Sequence, residues 1–180
     1  MPLQSNSDRY GSLTIAIHWL TALLILLLYL TGLQAAAQTD EMAKIALLRA
    51  HIPFGIGVLL LTVLRVVWRL VGDRGLPRPP AGEPALRSFL ARAVHVGLYV
   101  VVLVTVASGL GMVALSGAMP AIIAGAGLPN LDLVAPRAVH GIVPRLMLAL
   151  LALHVGAALY HQFVLRDRLL ARMGLGRPAA

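Results

Sequence analysis

The chain has 180 residues, of which 59% are hydrophobic and 12% charged, with a formal net charge of +8, six histidines and no cysteine. That apolar share exceeds the soluble norm of about 45–50%, mean hydropathy is +0.85, and the excess is gathered in four long runs, which predicts an all-α membrane protein of one domain. The lack of cysteine excludes disulfides, thiolate catalysis, cysteine-held iron–sulfur clusters and C-x-x-C-H haem attachment, so a bound metal or haem must be held by histidine, methionine or carboxylate.

The polar lead, with Asp8, Arg9 and Tyr10, passes into a full-length hydrophobic run, so no cleavable signal peptide is expected. The first span is predicted over about 13–33 (LTIAIHWLTALLILLLYLTGL), with His18 one turn in and Trp19 as an interfacial aromatic. After the polar loop 34–45, the second span is expected over about 47–71, with His51 in its first turn, Pro53 close behind, and Arg65, Arg69 and Arg74 at its end. Residues 72–87 (GDRGLPRPPAGEPALR) read as a loop, since Pro and Gly are frequent and no apolar period survives.

The third span is predicted over about 90–115, with His95 early and Gly109 and Gly111 late. In the connection 116–136 the apolar piece 121–126 is too short to cross a bilayer and reads as a surface or re-entrant turn. The fourth span, about 138–165, is followed by a basic tail of Arg166, Arg168, Arg172 and Arg177. None of the four runs shows the two-residue alternation of barrel strands, so a four-transmembrane-helix bundle is expected.

Fourteen of the fifteen basic residues are arginine, and they flank the runs. Arg9, the six from Arg65 to Arg92 and the four of the tail fall on one side; Lys44, Arg49, Arg137 and Arg145 fall on the other. Both termini are therefore predicted cytoplasmic, and the charge is explained by membrane orientation, with no nucleic acid as partner.

Histidine inside a bilayer faces protein or a cofactor. His140, His154 and His161 are separated by 14 and 7 residues, steps that return to within about 40° and about 20° on a helix, so they share one stripe with Met147. His140 and His154 lie roughly 21 Å apart along it, most of the ~30 Å hydrocarbon thickness. By depth His51 matches His140 near the outer face, and His18 matches His154 or His161 near the inner face, with depth slightly favouring His161. Two imidazoles facing each other at one depth suit the two axial positions of a b-type haem. Repeated at two depths, they predict two stacked haems and an electron relay.

Gly32, Gly55, Gly57, Gly109, Gly111, Gly141 and Gly156 would let helices and rings approach closely. Zinc would need its ligands clustered, and these pairs are too far apart for that. No G-x-S-x-G or H-E-x-x-H is present to suggest hydrolysis.

The segment IHWL (17–20), the span-two histidine before LRVVWRL (64–70), and HG…LH…YHQF (140–163) together resemble bacterial cytochrome b561, over about residues 10–173. The resemblance implies a four-helix di-haem b protein of the bacterial inner membrane that exchanges electrons with quinone. It implies His18 and His154 as ligands of the inner haem, in place of the depth-favoured His161, and His51 and His140 as ligands of the outer one. His161 then falls beside the quinone, where an imidazole can deliver a proton as the catalytic residue.

The best-defined member of that family oxidises superoxide and reduces ubiquinone, which makes superoxide:ubiquinone oxidoreductase activity one expectation. The outer loops are sparse in unopposed positive charge to steer an anion, with Asp40, Glu41 and Asp132 among the basic residues. The alternative is a cytochrome b subunit exchanging electrons between quinone and a periplasmic redox protein, without superoxide oxidase activity. His95 reads as structural or quinone-adjacent, and Met147 as packing between the macrocycles. Arg65 and Arg69 read equally as partners of haem propionates or as orientation charges, Arg145 as pairing with a propionate or backbone, and Trp19 and Trp68 as belt aromatics. Tyr160 reads as an interfacial anchor, and it and Gln162 flank His161.

Overall fold

In the computed structural model, the structure describes residues 2–73, 75, 77 and 82–176; Arg74 of the second span's end and Arg177 of the tail lie outside them. The described chain is helical: α1 Ser12–Ala37, α2 Glu41–Val67, α3 Ala85–Ser116, a short α4 Ala118–Ala124, α5 Pro136–Tyr160 and a terminal turn α6 Leu169–Arg172. Alpha2 is extended by a wide π-helical turn, Trp68–Gly72, and α5 by another, His161–Leu165. With these turns, α1, α2, α3 and α5 give four helices of 26 to 32 residues, long and apolar enough to cross a membrane.

The helices outrun the hydrophobic windows because their ends are set by caps, which need no lipid. Alpha2 begins six residues before the predicted 47, where the Asp40 carboxylate accepts from the Ala43 N–H at 2.7 Å and offsets an orphan donor of the first turn. Alpha3 begins at Ala85, inside the predicted loop, with Pro84 accepting from the Arg87 and Ser88 N–H groups. The apolar piece expected as a turn forms α4, bounded by Gly117 and Gly125 in the left-handed conformation. Pro53 and Pro144 lie within helices, as membrane helices tolerate.

Large apolar side chains face outward along the spans: Leu60, Leu148 and Leu153 are 63%, 56% and 61% exposed. In water such a surface would aggregate; for a helix in lipid it is the contact face.

The chain divides into two compact units, each taking one segment of every spanning helix. The first comprises Met1–Trp19, Val63–Val100 and Met147–Ala180. In it Asp73, at the end of the first π turn, is 2% exposed. Its carboxylate accepts from the Ser5 N–H at 2.7 Å, the Ser5 hydroxyl at 2.6 Å and the Thr14 hydroxyl at 2.7 Å. The N-terminal lead is thereby held down, and Tyr10 N–H donates to the Arg172 carbonyl at 3.2 Å.

The second unit comprises Leu20–Thr62 and Val101–Leu146, with Ile45 and Val58 almost fully buried. Arg49 donates from Nε and Nη2 to the carbonyls of Ile122 and Ile123, both at 2.7 Å, satisfying the end of α4.

Candidate functional site

In the second unit, α2 and α5 bring His51 and His140 together with ring centroids 6.2 Å apart and planes at 80°. Each ring is set by the same device. Thr31 spends its hydroxyl proton on the Leu27 carbonyl (2.7 Å), so its oxygen, 2.9 Å from His51 Nδ1, accepts the Nδ1 proton. His140 Nδ1 lies 3.0 Å from the Thr105 carbonyl and 3.1 Å from the Ser108 hydroxyl, which itself donates to that carbonyl. A carbonyl only accepts, so in both histidines the proton sits on Nδ1 and Nε2 keeps a bare lone pair, the tautomer a metal ligand needs.

The residue after each hydroxyl is glycine. A Cβ on Gly32 would lie 3.0 Å from His51 Cε1, and one on Gly109 would lie 2.9 Å from His140 Cε1. The rings occupy the space that side chains would fill. Of the other glycines predicted to ease close approach, a Cβ on Gly57 would meet Leu24 at 3.1 Å and one on Gly156 would meet nothing.

In the first unit, His18 of α1 and His154 of α5 have centroids 6.1 Å apart, and His95 of α3 lies 5.0 Å from His154. Histidine–metal bonds are about 2 Å, and two such bonds plus two ring radii put the centroids of a bis-imidazole site about 6.3 Å apart. The pairs His51–His140 and His18–His154 meet that spacing, whereas His95–His154 is too close.

His95 instead gives its Nδ1 proton to the Ala91 carbonyl one turn back, at 2.6 Å. One feature departs from a ready inner site. Arg65 Nη1 stands 3.1 Å from His18 Nδ1; guanidinium has only protons to offer, so Nδ1 accepts and the proton resides on Nε2. His18 presents a bare Nε2 only when Arg65 leaves Nδ1; the same guanidinium also lies 5.9 Å from the Tyr99 ring.

His161 is not paired with another histidine. It opens the second π turn, with Nδ1 2.5 Å from Asp167 Oδ2 and both side chains mostly shielded. One metal-ligating type of atom from each of Glu83, His161 and Asp167 lies within 4.8 Å of the others. Gln162 has its Oε1 buried without a hydrogen-bond partner among the described residues, and with Arg168, Ala171, Leu175 and Gly176 it lines a cavity of about 360 Å³.

Met147 is buried. Arg69 donates to the Asp73 carbonyl, Trp19 to the Met173 carbonyl at 3.0 Å, and Arg145 to the Gly141 carbonyl at 3.0 Å. The guanidinium of Arg87 stacks 5.9 Å from the Tyr160 ring.

Asp167, Thr31, Ser108 and Thr105 were not singled out from the sequence. A signal for two of them was present, since Thr31-Gly32 and Ser108-Gly109 repeat one hydroxyl-glycine step in two spans.

Four spanning helices carrying imidazole pairs at metal-bridging distance define a helical membrane redox protein of the b-cytochrome type. The family model described as prokaryotic cytochrome b561 matches residues 9–176. The chain is 32% identical over 175 residues to cytochrome b562 of Cereibacter sphaeroides, covering 94% of this chain and 97% of that one. It is 29% identical over 177 residues to the Yersinia pestis protein named "Probable superoxide oxidase CybB" (92% and 95% covered). Identity to cytochrome b561 homolog 2 of Escherichia coli K12 is 27% over 191 residues, covering 100% and 98%. The chain belongs to the prokaryotic cytochrome b561 family; it is a multi-pass bacterial membrane electron-transfer protein, and membership implies binding of haem b.

Proposed function

We propose that the protein is a di-haem b cytochrome of the bacterial inner membrane, moving electrons between a donor on the periplasmic side and ubiquinone on the cytoplasmic side. The observation that carries this reading is the pair of imidazole couples, one in each unit, with centroids 6.1 and 6.2 Å apart. His51 and His140 would hold one haem and His18 and His154 the other, each through Nε2, which for His18 requires Arg65 to leave Nδ1. Bound haem would supply the one-electron transfer.

The protein's own work is to aim the four imidazoles, keep Nδ1 protonated through Thr31 and the Thr105 carbonyl, and leave ring-sized space at Gly32 and Gly109. His161 serves at the quinone as the proton donor, supported by its place at the start of the π turn that closes the fourth spanning helix.

Superoxide as the donor rests on the name of the Yersinia pestis relative. A protein donor is favoured by the state of the basic side chains on the predicted outer side. Arg137 is paired with Asp132 at 2.7 Å, Arg49 is spent on the carbonyls of Ile122 and Ile123, and Arg145 on that of Gly141. Hydrogen bonds to carbonyls leave the arginine charge in place, but Asp40, Glu41 and Asp132 stand against Lys44, Arg49, Arg137 and Arg145, so the net positive charge there to draw in an anion is small.

Purified protein is expected to contain two haems per chain in a reduced-minus-oxidised spectrum, and His51→Ala or His140→Ala to remove one. A single haem in the wild type defeats the di-haem reading. Superoxide pulsed onto the quinone-loaded protein separates the donors: prompt quinol formation assigns superoxide, and absence of haem reduction assigns a protein partner.

A further inference from the structure

Asp167 follows the second π turn in a segment that reads, from the sequence alone, as a basic tail. Its surroundings are built to turn it back on His161. Arg166 and Arg168, on either side of it, both have φ of 56°, the left-handed conformation that L residues other than glycine adopt only at a cost. The Asp167 N–H returns to the His161 carbonyl at 3.3 Å. Oδ1 accepts from the Leu169 N–H at 3.2 Å, which leaves Oδ2 for His161 Nδ1 at 2.5 Å. Strained backbone and π turns both gather at functional sites.

Two chemistries could use this cluster, and distance separates them. With Glu83 the three residues offer ligands of the kind a divalent cation takes. Two ligands bound at about 2.0–2.2 Å in tetrahedral geometry stand about 3.3 Å apart, however. At 2.5 Å the Nδ1 and Oδ2 atoms are donor and acceptor of one hydrogen bond, closer together than two ligands of one ion.

We propose that Asp167 is the positioning residue for His161 in proton delivery to quinone, a proposal that rests on the quinone reading above. Asp167 holds the Nδ1 proton and with it the tautomer and the ring's orientation, so Nε2 is the nitrogen that serves the substrate. Quinone becomes quinol by taking two electrons from the donor reaction and two protons. His161 passes its Nε2 proton to a quinone oxygen, keeps its Nδ1 proton on Asp167, and reloads Nε2 from water at the membrane face before the second transfer. While loaded, its positive charge lies against the Asp167 carboxylate. Glu83 adds a second carboxylate beside the pair, Tyr160 places its ring 6.3 Å from the imidazole, and Arg87 faces Tyr160.

The test uses the full-length haem-loaded protein. Reoxidation of pre-reduced haem by ubiquinone is followed by stopped flow in wild type, Asp167→Asn and Asp167→Glu. Asp167→Asn is expected to lower the maximal rate about 100- to 10,000-fold. The quinone concentration for half-maximal rate and the haem spectrum should stay unchanged, and Asp167→Glu should recover most of the rate. A loss that tracks haem content, or that Asp167→Glu does not recover, overturns the proposal.

Histidine-selective 15N NMR, with His161→Gln identifying the signal, reads the tautomer without any turnover. His161 should be protonated at Nδ1 in wild type and become a mixture in Asp167→Asn, and an unchanged signature overturns the proposal. Wild-type haem that quinone cannot reoxidise would instead overturn the quinone reading, leaving the tautomer assignment to stand or fall on the NMR.

Discussion

Gly109 lies where His140 leaves no room: an added Cβ would be 2.9 Å from the ring's Cε1. Thr31 stands where His51 needs an acceptor. Neither residue carries redox chemistry, yet each sets where an imidazole points, and partners behind a metal ligand are worth about 10–100-fold in affinity. Gly109→Ala is expected to push the His140 ring away, and Thr31→Val to remove the hydroxyl that accepts the His51 Nδ1 proton. Each should weaken haem binding to the second unit by about that factor when haem is titrated into apoprotein and the Soret band is followed. Binding as tight as in the wild type would show that the ring and its cradle do not determine the ligand. Histidines on a membrane helix announce themselves by their rarity, whereas a threonine and a glycine among apolar residues are ordinary until a ring is seen against them.

Two spanning helices, α2 and α5, end in a π turn followed by aspartate. In α5 the aspartate holds a histidine, and in α2 it holds the polar N-terminal lead. Burial pushes the Asp73 carboxyl up, but the hydrogen bonds from the Ser5 hydroxyl, the Ser5 N–H and the Thr14 hydroxyl, with the nearby Arg69 charge, outweigh it and bring it below the ordinary carboxylate value of 3.8. A carboxylate whose proton affinity falls on folding adds stability that is complete above its unfolded value and fades as pH drops through its folded one. The lead should therefore stay protected from protease at neutral pH and be released only in strong acid, below about pH 4. Asp73→Asn should release it at neutral pH, at a cost of about 1–3 kcal/mol for the hydrogen bonds to a charged group. A protected lead in Asp73→Asn would show that contacts other than the carboxylate anchor it. Hydrophobic windows could not reveal this, because the anchor joins positions 5, 14 and 73, whose only sequence signal is ordinary polarity.

For the whole molecule, the arginine distribution predicts orientation. Since the chain has no cysteine, single cysteines at Ser7 and Asn130 provide unambiguous reporters. Ser7→Cys should be labelled by an impermeant maleimide only from the cytoplasmic side, and Asn130→Cys only from the periplasmic side. The reverse pattern would invert the donor and quinone faces of the proposed function.

Sequence alone determined the four spanning helices and the family, through IHWL, LRVVWRL and HG…LH…YHQF, and it pointed to the histidines proposed as ligands. Each of these is local: a run of apolar residues long enough for a bilayer, or a residue type too costly to bury idly. Depth left His18 a choice between His154 and His161, because a stripe on one helix gives height and angle but no distance to another helix, and the family resemblance pointed to His154. Tertiary structure alone placed His18 6.1 Å from His154, gave His161 to Asp167, set Arg65 on His18, and turned two glycines into ring seats. Those are matters of packing between segments distant in the chain, where a difference of an ångström separates a metal bridge from a hydrogen bond.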